Sequence, residues 1–115
     1  MSWKEILSRI KKEIRVKTKI PHTRGGFRPV TKIEGSLIYM RTGVNSIKYT
    51  TIEMVRFAFE KIQLKQYFKS SDLKSNFPQK YSQGDCVFSM TGGILQILGL
   101  AKYIQRRGYV ALDKK

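Results

Sequence analysis

The chain has 115 residues, the length of one domain or of one domain with a small extension, which excludes large architectures such as a full (β/α) barrel. Hydrophobic residues are 41% and aromatic residues 11%, enough to build a core, so the chain is not a disordered tail. Twenty-three Lys and Arg face 8 Asp and Glu, a formal net charge of +15. Such an excess points to a polyanionic partner: nucleic acid first, an anionic membrane surface or an acidic protein after it.

Cys86 is the only cysteine, which rules out an internal disulfide and a multi-cysteine zinc site. His22 is the only histidine, so no multi-histidine metal site can form. No run of about 18 apolar residues is present, and no transmembrane helix is expected. Met1-Ser2-Trp3-Lys4-Glu5 lacks the apolar core of a secretory signal, so the expected location is cytoplasmic.

Residues 2–15 read as a helix, with Ser2 and Glu5 at capping-box spacing and Ile6, Ile10 and Ile14 at helical spacing. Its other faces carry Lys4, Arg9, Lys11, Lys12 and Arg15; a solvated basic face fits them better than a membrane-bound one. Arg15 to Ile20 alternates as a short strand, and Pro21 to Pro29 reads as a turn-rich loop. Residues 31–42 read as one strand centred on Leu37-Ile38-Tyr39-Met40, apolar on both faces. Gly43-Val44-Asn45 turns the chain, and Ser46 to Thr50 returns it.

Thr50 or Thr51 then caps a helix running to about Lys65, with Ile52, Val55, Phe59 and Ile62 in period. Ser70 or Ser71 caps a shorter helix that Pro78 stops. Residues 79–84 read as a polar loop. A third helix spans about Asp85 to Leu98, with Val87, Ile94, Ile97 and Leu98 as its apolar positions, and Gly99 ends it. Ala101 to Gln105 and Tyr109 to Leu112 form a hairpin across Arg106-Arg107-Gly108.

The order of helix, short helix, third helix and hairpin over residues 50–113 resembles a winged helix-turn-helix domain. Phe68-Lys69-Ser70-Ser71-Asp72-Leu73 looks like the start of the second helix of such domains. Ile94 to Ile104 is similar to the end of the recognition helix and the step into the first wing strand, and Arg106 to Leu112 looks like the wing. Residues 1–49 match no family. The resemblance implies that the third helix presents a face to the DNA major groove while the wing contacts backbone. The face expected to be exposed carries Ser82, Gln83, Ser89, Met90, Gly93 and Gln96, with no Arg or Lys to read guanine. Gly92-Gly93 permits close approach of a backbone, read more simply as an internal packing contact than as a DNA contact.

The candidate DNA-binding residues follow. Lys69, Lys74, Arg106 and Arg107 are expected to contact phosphates. Arg24 and Arg28 belong to a basic loop with Phe27 that suits entry into a groove or stacking on a base, as well as a simple hairpin connection. Base contacts fall to Ser89 and Gln96, with Gln83 beside them. Lys11, Lys12, Arg15, Lys17 and Lys19 extend the basic field. The tyrosines at strand positions read as half-buried core. No phosphate-loop motif, no carboxylate cluster for Mg²⁺ and no nucleophile constellation is present, so no catalytic residue, no metal ligand and no cofactor is expected, and the chain is not read as an enzyme.

The expectation is therefore an α+β protein: an N-terminal basic helix and small β-hairpin layer over 1–49, then a winged helix-turn-helix of three helices and a C-terminal wing over 50–115. Its expected role is double-stranded DNA binding, as a small transcriptional regulator or as the DNA-binding part of a larger system. The alternatives are a protein-interaction module, including a homodimer through the N-terminal β-layer, and an RNA- or ribosome-associated protein.

Overall fold

A computed structural model describes residues 2–112. The first helix, α1 (Trp3–Glu13), starts as its sequence asks: the Glu5 N–H donates to the Ser2 hydroxyl and the Ser2 N–H to the Glu5 carboxylate at 3.0 Å. Ile6 and Ile10 of this helix are buried, as is Ile14 just beyond it. Four antiparallel strands follow as a meander: β1 (Lys19–Pro21), β2 (Phe27–Glu34), β3 (Leu37–Gly43) and β4 (Ser46–Thr51).

Four helices come next: α2 (Ile52–Gln63), α3 (Ser70–Asn76), α4 (Pro78–Tyr81) and α5 (Cys86–Ile97). Thr51 caps α2, its hydroxyl accepting from the Met54 N–H at 3.1 Å. The chain closes with the hairpin β5 (Ala101–Ile104) and β6 (Gly108–Ala111). Gly99 has φ +76° at the end of α5, a left-handed position that glycine adopts without cost.

The α+β class holds, and the arrangement expected within it does not. The chain runs helix, four-stranded sheet, four helices, hairpin, rather than helix and hairpin followed by three helices and a wing. Three local features account for the difference. The stretch read as one strand over 31–42 is broken by Gly35-Ser36, where Gly35 takes φ +60° and Glu34 pairs with Leu37. Glycine at the first position of a two-residue loop is what such hairpins favour. The stretch read as loop up to Pro29 is half strand, with Pro21 to Lys19 pairing with Phe27 to Pro29. The short helix does end ahead of Pro78, at Asn76, but the proline then opens α4 at the N1 position, where its missing N–H costs nothing, so the stretch read as a polar loop over 79–84 begins as helix.

A further difference changes the function argument. α5 is the central element of the core, not an exposed recognition helix. It packs against β1, β4, α2 and β5. Val87, Ser89, Met90, Thr91, Gly92, Gly93, Ile94 and Leu95 are all buried, and a helix apolar or small all round belongs inside a protein. Ile97, expected inside, is 39% exposed. The glycine pair explains how strands crowd this helix. A Cβ on Gly92 would fall within the Tyr109 ring of β6, and one on Gly93 would sit 2.7 Å from the Pro21 carbonyl oxygen of β1. The close approach is to a tyrosine and a strand of the same chain. No feature of this fold identifies a winged-helix domain.

One apolar cluster runs from Ile6 of α1 through Ile38, Met54, Leu73 and Ile94 to Tyr109 and Ala111. Internal polar links fasten the sheet to the helical part of the chain. Thr50 and Thr91 share a buried hydroxyl–hydroxyl hydrogen bond of 2.6 Å. Gln83 pairs with the edge of β4, accepting from the Tyr49 N–H at 3.0 Å and donating to the Tyr49 carbonyl at 2.9 Å. That side chain occupies backbone groups which an edge strand would otherwise leave open.

Candidate functional site

The β1–β2 turn, the start of α3, the start of α5 and the β5–β6 hairpin meet on one side of the molecule. They enclose an open cleft of about 520 Å³ lined by His22, Arg24, Arg28, Ser70, Asp85, Cys86, Phe88, Ser89, Tyr103 and Arg106 among others. A shallower depression of about 280 Å³ continues it, sharing Ser70, Phe88, Tyr103 and Arg106 and adding Lys69, Arg107 and Gly108. Together they form a groove with cations along its rim and two aromatic rings in its floor.

Each cation is placed by a local reason. Arg106 and Arg107 sit in the loop joining Ile104 to Gly108, and the Arg107 N–H donates to the Ile104 carbonyl at 2.9 Å. Arg106 holds φ +69°, a left-handed conformation that costs a non-glycine residue. Lys69 is the N-cap of α3, its N–H donating to the Asp72 carboxylate at 2.8 Å, which leaves its side chain outside the helix. Arg24 lies in the β1–β2 turn, where its N–H donates to Nδ1 of His22 at 2.9 Å. Burial, and then the charges of Arg28 and Arg24, hold the His22 imidazolium pKa below its ordinary value.

Arg28 differs from the rest. It lies in β2, two residues from buried Val30 and therefore on the same face, and it is only 8% exposed. Nη1 donates to the Ser89 hydroxyl at 2.5 Å and approaches the Cys86 carbonyl at 3.4 Å. Burial pulls its pKa down, with the neighbouring Arg24 adding to the effect, yet arginine stays charged in proteins.

Most of the acids are engaged elsewhere. Glu13 pairs with Arg9, Glu34 with Lys32, Glu60 with Arg56 and Asp72 with Lys61. Among the described residues, Arg24, Arg28, Lys69, Arg106 and Arg107 form no ion pair with a carboxylate. Asp85 is the one acid lining the groove, and its carboxylate accepts from the Tyr81 hydroxyl at 2.7 Å. Burial, and then that hydrogen bond, push the Tyr81 phenol up to about 12.

Of the eight residues the sequence nominates, the fold brings six to this groove: Arg24, Arg28, Lys69, Ser89, Arg106 and Arg107. Lys74, near the end of α3, and Gln96, near the end of α5, do not line it. Ser89 is buried at 4% exposure and holds Arg28 rather than presenting a hydroxyl to a base. Gln83, also considered for base contact, is committed to Tyr49. Sequence reasoning missed Ser70 as a lining residue, because a serine there reads first as a cap, and it gave Phe88 no role. A usable signal was present: Asp85, Cys86 and Ser89 fall on one face of the first turn of α5, with Phe88 beside them. Among the described residues no group of three or more His, Cys, Asp or Glu side chains gathers as metal ligands would, and no helix is long and apolar enough to cross a membrane. Protein-family models, curated proteins and solved structures were compared with the chain, and none matches it.

Proposed function

We propose that the chain is a cytoplasmic protein that binds double-stranded DNA through its phosphates, as a small regulator or as the DNA-binding part of a larger system. The observation that carries this reading is the convergence of four exposed cations, Arg24, Lys69, Arg106 and Arg107, on one groove with no carboxylate paired to them. Three segments far apart in sequence contribute them. Unpaired cations on a concave surface concentrate positive potential and release counterions when they meet a phosphate backbone. Lys11, Lys12, Arg15, Lys17 and Lys19 are all exposed and add to the field.

Binding of this kind reads little sequence. Bases are distinguished by side chains that reach groove edges, and Ser89 and Gln83 are both engaged inside the protein. Affinity should therefore vary little between duplexes of different sequence and fall steeply with salt. Fluorescence anisotropy of labelled random-sequence duplex over a salt series tests this, with single-stranded DNA and an RNA hairpin alongside. Absence of duplex binding at low salt refutes the proposal. Preference for the hairpin transfers the groove to RNA.

A further inference from the structure

We infer that the floor of the cleft holds a terminal phosphate, a phosphomonoester at the end of a nucleic-acid strand, gripped by Arg28 with Arg24 and Arg106 at its sides. The inference deepens the DNA-binding reading and rests on it for the source of the ligand.

The argument begins with the charge of Arg28. A guanidinium removed from water without a counterion costs several kcal/mol unless something offsets it. Its two hydrogen bonds, to Ser89 and Cys86, both leave from Nη1. Among the described residues Nε and Nη2 have no acceptor, while no fully buried side-chain nitrogen or oxygen lacks a partner. Those two groups are therefore not sealed from solvent, and the cleft is a space that Arg28 lines. Nε and Nη2 form the edge through which arginine grips a carboxylate or phosphate with two parallel hydrogen bonds. The fold holds Nη1 against α5 and leaves Nε and Nη2 without a protein acceptor.

The surroundings choose phosphate over carboxylate. Arg24 and Arg106 line the same cleft, Ser70 lies on its wall, and Asp85 is the single acid facing it. Three guanidiniums suit a group of charge near −2, and a phosphomonoester carries about −1.5 to −2 at neutral pH. An internal phosphodiester carries one charge and is flanked by sugars on both sides, so a duplex lying across the rim cannot push it down to a guanidinium that is 8% exposed. A strand end can enter. The cleft volume of about 520 Å³ lies within the ~300–1,000 Å³ of ordinary small-ligand sites, room for a terminal nucleotide and not only its phosphate. Phe88 and Tyr103 line the same space, and aromatic faces of this kind stack on bases.

The test compares one duplex sequence carrying 5′-phosphate, 3′-phosphate or hydroxyl ends, with nucleoside monophosphate as competitor. A phosphorylated end should bind at least about tenfold tighter than the hydroxyl end. The ratio should fall toward one in Arg28→Lys and in Arg24→Gln. Should Arg28→Lys fail to fold, Arg24→Gln, an exposed turn residue, decides the matter. Cys86, the only thiol of the chain, lines the cleft and reports occupancy directly: its alkylation should slow when a phosphorylated duplex is present and not when the hydroxyl duplex is. Equal affinity for phosphorylated and hydroxyl ends overturns the inference and leaves the DNA-binding reading standing. Failure of every duplex to bind overturns that reading. In that case, protection of Cys86 by nucleoside monophosphate alone assigns the site to a free nucleotide, and lack of protection removes the phosphomonoester site as well.

Discussion

Replacing Arg106 and Arg107 together by alanine separates electrostatic binding from every other mode. Four exposed cations line the groove: Arg24, Lys69, Arg106 and Arg107. If each neutralises one phosphate, the logarithm of affinity should fall with the logarithm of salt with a slope of about −3.6, and removing two should halve it to about −1.8. Between about 50 and 200 mM salt the wild-type protein should lose roughly 150-fold in affinity and the double variant roughly 12-fold. The loss should be the same for unrelated sequences, because phosphate contacts carry no sequence information. Anisotropy titrations of two unrelated duplexes at five salt concentrations give both slopes. Both arginines are exposed and the hairpin is held by its backbone pairs, so the variant should melt like the parent. An unchanged slope in a folded variant would show that the hairpin loop does not touch DNA and would remove the groove from the account.

Other expectations separate stability from binding. Arg106→Gly should weaken duplex binding while raising stability by about 0.5–1 kcal/mol in urea melts, because glycine accepts the φ of +69° that arginine holds at a cost. Gly92→Ala should destabilise by about 3 kcal/mol or prevent folding, since its Cβ meets the buried Tyr109 ring; a wild-type melting temperature would contradict the packing of α5 described above. Thr91→Val should cost about 1–2 kcal/mol by breaking the buried bond to Thr50. Stability should fall in alkali: with the Tyr81 phenol raised from 10 to about 12, its contribution is complete below pH 10 and disappears as the pH climbs to 12. Tyr109 is displaced the same way by burial, so Tyr81→Phe should reduce this alkaline loss without abolishing it, as urea melts between pH 8 and 12 would show.

Much of the local structure could be read from neighbouring residues. The Ser2–Glu5 box, the Thr51 cap, the Gly99 stop, the Gly43-to-Ser46 turn and the β5–β6 hairpin all depend on groups a few positions apart, and all appear where the sequence places them. The misreadings share one cause. Gly35-Ser36 lies inside a run of β-prone residues, and its turn becomes visible only once Glu34 pairs with Leu37. Gly25-Gly26 and Pro29 mark the stretch around Arg28 as loop in the sequence; the pairing of Ile20 with Arg28 makes it strand and turns it inward with Val30.

By itself the sequence determined a large positive charge, a mixed α and β content, the positions of most caps and turns, and the absence of any histidine or cysteine set for metal. These follow from composition and from interactions within a few residues. Only the tertiary structure decided that α5 is central. Burial of a helix depends on what the rest of the chain packs against it, and Gly92-Gly93 has no meaning until Tyr109 and Pro21 arrive beside it. The same holds for the site. Net charge is a sum over the chain, whereas a binding site needs charges to converge. The convergence of Arg24, Arg28, Lys69, Arg106 and Arg107 comes from strand pairing and helix packing between segments as far apart in sequence as Arg24 and Arg107.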